Sequence, residues 1–290
     1  MTYLLDRLRS SMRLLLAGAC CAVSASALAH DPQVVRFASL DGTELIGWLY
    51  RPVGNTLPRG AVVALHGCGG LYATVGKRHG QINTRHQAMA DMLVQEGYAV
   101  LMPDSLTPRG VSQICTQKFS ERKIDQRERR RDTLAAQAWL ARQDWVDPKK
   151  IALLGWSHGG SGVLASTDAN QAEVARQEHK FAVAIAFYPG CSAALKAGYQ
   201  PNTRLLMLIG EKDDWTPAAP CVALGKTTGA EVTVYPDAYH EFDNPLGEVK
   251  LRTDIPNGVN PGRGVHSGPN PQAREQANAR VREVLVEAFR

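Results

Sequence analysis

Apolar runs recur along the chain at 61–66, 99–103, 151–155, 181–188, 205–209 and 232–235, with helix-patterned segments between them. Most are continuous rather than alternating. A strand with one wet face alternates apolar and polar residues. A strand buried on both faces does not, and such strands belong to parallel sheets covered by helices. The intervening segments supply those helices. Met89, Met92 and Leu93 share one helical face, with a stop at Gly97. Leu134, Ala138 and Ala141 share another, with Trp139 beside it, and Val281, Val284, Leu285 and Phe289 form a third. Repeated strand–helix units imply an α/β fold with a mostly parallel central sheet and helices on both faces. A hairpin precedes it, with residues 34–37 and 45–50 flanking Asp41-Gly42. Residues 244–271, rich in Gly, Pro and Asn, read as one long loop of the kind that often carries function. No repeat or linker divides the remainder, so residues 30–290 read as a single domain.

The first 29 residues read as a signal peptide. Arg7, Arg9 and Arg13 make a basic start, residues 14–23 an apolar stretch, and Ala27-Leu28-Ala29 a cleavage site. Met12 is a second candidate start. The apolar stretch is short for a membrane span, so export to the periplasm or beyond is expected, without stable membrane insertion. Removal of the leader takes Cys20 and Cys21 and leaves Cys68, Cys115, Cys191 and Cys221. Four cysteines in an oxidising compartment permit two disulfides in three pairings. Cys191 follows one strand and Cys221 the loop after the next, which favours Cys191–Cys221 and leaves Cys68–Cys115. The net charge of +5 over 290 residues is mild and gives no nucleic-acid signature. The basic run 127–131 reads as a solvated helix face. Oligomeric state is not legible.

The strand at 151–155 runs into Gly155-Trp156-Ser157-His158-Gly159-Gly160 and then into a helix-compatible segment. Strand, sharp turn and helix form the setting of a nucleophile elbow. The turn exposes the Ser157 hydroxyl, and its neighbours must be small. A serine needs a base to take its proton. His240, in the loop past the last strand, is the candidate. The base needs an acid to fix its tautomer, and Asp213 and Asp214 both follow the strand 205–209. The order Ser, Asp, His is that of the α/β-hydrolases. Two backbone amides are needed to hold an oxyanion. His158 supplies one. The loop His66-Gly67-Cys68-Gly69-Gly70 supplies the other, at Cys68 or alternatively Gly69, with His66 as a packing residue. Arg109, after the strand 99–103, and Trp156 are candidate substrate contacts. No histidine pair has zinc spacing and no phosphate loop is present, so neither metal nor cofactor is expected.

Together the Gly155–Gly160 motif, Asp213-x-x-Thr216-Pro217 and His240-x-Phe242 resemble the dienelactone hydrolase family of the α/β-hydrolases, over nearly the whole mature chain. The resemblance selects Asp213, since the acid in that family commonly stands three residues before a Val-Pro or Thr-Pro. The tail from Val265 to Pro271 is also similar. The founding members differ in carrying a cysteine nucleophile where Ser157 stands and a glutamate near the His66-Gly67-Cys68 loop. What the resemblance implies is therefore a hydrolase of a small-molecule ester or lactone through an acyl-enzyme on Ser157. A peptidase or acyltransferase of the same fold, and a non-catalytic envelope binding protein, are the alternatives.

Overall fold

The computed structural model describes residues 32–290 apart from 53, 55, 56 and 75. The leader and its cleavage site lie outside the described residues. Eight strands form one sheet: β1 (Gln33–Ala38), β2 (Glu44–Tyr50), β3 (Ala61–Leu65), β4 (Ala99–Asp104), β5 (Ile151–Trp156), β6 (Ala184–Phe187), β7 (Leu205–Gly210) and β8 (Glu231–Tyr235). Their spatial order is β1-β2-β4-β3-β5-β6-β7-β8. β2 pairs antiparallel with both β1 and β4, and from β4 to β8 every pairing is parallel. β3, β4, β5, β6 and β7 are buried along their whole length, as their unbroken apolar runs require.

The helices are α1 (Thr84–Gln95), α2 (Gln126–Ala141), α3 (His158–Thr167), α4 (Ala172–Ala175), α5 (Ser192–Lys196), α6 (Ala218–Thr228) and α7 (Pro271–Ala288). Asn83 and Asn270 cap α1 and α7 with their side chains, and Asp125 and Glu128 form a capping box on α2. Among the described residues, no helix is long and apolar enough to cross a membrane.

Two elements depart from the sequence pattern. The run 181–188 contributes only Ala184–Phe187 to the sheet. Residues 244–271 are not wholly irregular, since Lys250–Arg252 (β9) pairs antiparallel with Val265–Ser267 (β10). Strands of three residues are too short to show a period. The chain leaves β3 toward β4 on one side, and β5 returns on the other. The carboxyl ends of β3 and β5 therefore flank a topological switch point, where parallel sheets open a crevice.

Candidate active site

Ser157 sits at that crevice, between β5 and α3, with φ at +52°. A residue with a Cβ is strained there, and the surrounding glycines show what the strain serves. A Cβ on Gly155 would strike the carbonyl of Gly159, and one on Gly159 would strike the Leu65 carbonyl and lie 2.5 Å from that of His66. One on Gly160 would come within 2.7 Å of the Phe187 carbonyl. The chain turns this tightly only because α3 starts against the backbone of β3 and β6.

Three side chains from separate loops meet here. His240 Nε2 lies 2.9 Å from Ser157 Oγ, and His240 Nδ1 lies 2.7 Å from Asp213 Oδ2. Asp213 Oδ1 accepts the amides of Trp215 at 2.9 Å and Thr216 at 2.8 Å, so the carboxylate is fixed in place. With Nδ1–H donating to Asp213, Nε2 is free to accept the serine proton. The His240 ring packs between Tyr188 and Trp215, at centroid distances of 4.5 and 4.6 Å. The Thr216 hydroxyl donates to the Tyr188 carbonyl at 3.0 Å and stands 3.1 Å from His240 Nδ1. Asp214, the adjacent carboxylate, faces elsewhere: it accepts the His266 amide and meets His266 Nδ1, both at 2.7 Å.

Two buried polar clusters support this arrangement. Behind the loop after β3, His66 donates from Nδ1 to the Gly67 carbonyl at 2.8 Å. Its Nε2 receives the Ser105 amide at 3.2 Å and Arg129 Nη1 at 3.0 Å. Arg129 Nη2 also donates to the His66 carbonyl at 2.7 Å. Burial, reinforced by the Arg129 charge, holds the His66 imidazole well below its ordinary pKa and neutral. Burial likewise pushes the Arg129 guanidinium down to about 10. The basic run is thus no solvated face throughout. Arg129 is 0% exposed, while Arg130 and Arg131 bind Glu173. Its partner His66, in the loop after β3 and remote in sequence, takes Arg129 inward.

The second cluster lies under the His240 loop. Asp243 accepts the Tyr188 hydroxyl at 2.6 Å and Trp156 Nε1 at 2.7 Å. Arg85 of α1 reaches the Tyr188 hydroxyl at 3.0 Å and Glu241 at 3.1 Å. Burial raises the Asp243 carboxyl above its ordinary value despite Arg85 and the two donors. Burial would do the same to Glu241, but the Arg85 charge overrides it and holds that carboxyl low.

A cavity of about 530 Å³ opens over Ser157 and His158. Cys68, Trp215, Thr216 and Pro217 line it, as do Gly258 and Val259 from the segment between β9 and β10. Both disulfides border it: Cys68–Cys115 ties down the loop after β3, and Cys191–Cys221 joins the loop after β6 to α6. Cys68 and His158, the residues expected to supply the two oxyanion amides, both line the cavity together with Ser157. Two expected substrate contacts are corrected. Trp156 is fully buried, with its indole N–H bound to Asp243. Arg109 grips buried Asp132 with both Nη atoms, at 2.9 and 2.8 Å, and Asp41 at 2.8 Å. A bidentate carboxylate leaves it no free edge for a substrate. The cavity's own arginine is Arg122, a residue without a motif to announce it.

A sequence model described as the dienelactone hydrolase family matches residues 47–289. No curated protein matches the sequence. Among solved structures, a dienelactone hydrolase-like promiscuous phosphotriesterase from metagenomic libraries is 22% identical, with a TM-score of 0.64, over 89% of this chain and 99% of that one. A dienelactone hydrolase from Anabaena variabilis is 18% identical, with a TM-score of 0.57, over 90% of this chain and 100% of that one. A dipeptidyl peptidase 4 from Porphyromonas gingivalis, 16% identical with a TM-score of 0.58, is matched over 88% of this chain but 35% of its own length. The fold common to these proteins and this chain is the α/β-hydrolase fold.

Proposed function

The chain belongs to the dienelactone hydrolase family, and from that premise we propose that it is an exported serine hydrolase cleaving a carboxylic ester or lactone. The observation that carries this reading is the unbroken relay from Ser157 Oγ through His240 to Asp213, at 2.9 and 2.7 Å. As Ser157 Oγ attacks the substrate carbonyl, its proton passes to His240 Nε2. Asp213 holds the imidazole in the required tautomer and stabilises the imidazolium. The amides of His158 and Cys68 receive the oxyanion, aided by the N-terminus of α3. Collapse of the tetrahedral intermediate expels the alcohol, which takes the proton from His240 and leaves Ser157 acylated. Water then repeats the cycle and releases the acid. The two disulfides and the basic-then-apolar leader support export.

The test uses the purified mature protein and 4-nitrophenyl butyrate. Turnover, and fluorophosphonate labelling that disappears in Ser157→Ala, are expected, with a loss in kcat of about 10⁴-fold or more in that variant. Equal activity in Ser157→Ala, or none in the wild type with no labelling, rejects the reading.

A further inference from the structure

We propose that Cys115 is a positioning residue: through its disulfide it fixes the Cys68 peptide so that the Cys68 amide meets the oxyanion. The proposal deepens the hydrolase reading and rests on it.

An oxyanion donor helps only if it is aimed before the charge develops. Yet three of the five residues in His66-Gly67-Cys68-Gly69-Gly70 are glycines, and glycine backbone holds no direction by itself. The loop lies against the nucleophile, since a Cβ on Gly67 would stand 3.6 Å from Ser157 Cβ. Within it, the Gly70 amide reaches the Gly67 carbonyl at 3.2 Å. Its other restraints come from residues 112–115. Ile114 donates its amide to the Cys68 carbonyl at 2.8 Å. Gly70, at φ +80°, sits so close that a Cβ there would strike the Ser112 carbonyl. Cys115 closes the contact with a covalent bond. The carbonyl and the side chain of Cys68 are thus both held from one segment. Among the described residues its N–H meets no acceptor, which leaves that group to a substrate oxygen.

The surroundings of the sulfurs separate this bridge from the other. Cys191 and Cys221 are part of the main core. Cys68 and Cys115 belong instead to a second, smaller apolar cluster with Ile114, Trp215, Ile255 and Val265. Trp215 stacks on His240, and Ile255 and Val265 come from the segment that covers the cavity. The parallel strands pack in the main core without this cluster. Cutting Cys68–Cys115 therefore frees a catalytic loop rather than a layer of the fold.

The experiment compares the wild type with Cys68→Ala/Cys115→Ala, which keeps every backbone amide. Both receive 4-nitrophenyl butyrate and, as inhibitor, a butyl trifluoromethyl ketone. Ser157 Oγ adds to the ketone carbon and its proton passes to His240, so the hemiketal oxyanion needs the same two amides. In the double variant kcat should fall about 10- to 100-fold, up to the loss of an oxyanion donor, while KM changes less than about 3-fold. The ketone Ki should rise by the factor by which kcat/KM falls, with the far-UV circular dichroism retained. A preserved kcat, or a ketone Ki that stays constant while kcat falls, overturns the proposal. Should the double variant not fold, the folded wild type is treated with tris(2-carboxyethyl)phosphine, and alkylation with mass spectrometry reads each bridge. A kcat that falls in step with opening of Cys68–Cys115 and returns on re-oxidation upholds the proposal. Turnover that survives its opening, or a bridge that opens only as the sheet unfolds, overturns it. A wild type that neither cleaves the butyrate nor takes fluorophosphonate rejects the hydrolase reading itself, and the positioning role with it.

Discussion

The two sides of the Ser157–His240 contact are built in different ways. On the serine side, backbone meets backbone: Gly155, Gly159 and Gly160 let β5 and α3 press against β3 and β6 with no room for a methyl group. On the histidine side, long polar side chains from α1, β5, the loop after β6 and the loop after β8 interlock through Arg85, Trp156, Tyr188 and Asp243. The first construction tolerates almost no change in shape but is indifferent to charge. The second depends on each buried donor and acceptor finding its partner.

The largest effect should come from Gly159→Ala. Its new methyl meets the carbonyls of Leu65 and His66, which are backbone and cannot swing away. A loss of about 3 kcal/mol or more in urea unfolding is expected, with ester turnover falling alongside. A loss below about 1 kcal/mol would mean the serine side is more compliant than its contacts indicate. Asp243→Ala comes next. It strands the Tyr188 hydroxyl and the Trp156 indole N–H in the interior and should cost about 2–3 kcal/mol, while Asp243→Asn, which keeps an acceptor, should cost less. If both variants unfold at the same urea concentration, hydrogen bonding is not what holds the histidine side.

The smallest effect concerns pH. Burial, then the charges of Arg129 and Arg122, keep the His158 side chain well below its ordinary pKa of 6.5. Below about pH 6.5 the unfolded chain therefore binds a proton that the folded chain refuses, so folding weakens as the pH falls. His66 and His86 act with the same sign. Replacing His158 with Gln should remove about 1 kcal/mol of the stability lost between pH 6.5 and 5.5. Unfolding curves at the two pH values measure it, and an unchanged difference would place the acid sensitivity elsewhere.

The serine side was the more legible in the sequence because its cause is local. A glycine two places from a serine, after an apolar run, records a steric demand within a few residues. The strands were legible for the same reason, except where β6 gave only four residues to the sheet and β9 and β10 only three each. The histidine side is written in pairs that sequence does not join. Arg85 and Tyr188 stand 103 positions apart, and Trp156 and Asp243 87 apart. Arg109 and Arg129 misled for the same reason. An arginine's role is fixed by the carboxylate or carbonyl it reaches, and Asp132 and His66 became its neighbours only through folding.

Asp213 and Asp214 are consecutive, yet they hold two different histidines. The first orients His240, and the second grips His266 of β10 and, through its carbonyl, the amide of Val259 at 2.9 Å. Val259 is also part of the cavity's covering segment. The roof and the proton path accordingly share one fulcrum. A guest bulky enough to displace Val259 would load the Asp214 carbonyl, one residue from the carboxylate that meets His240.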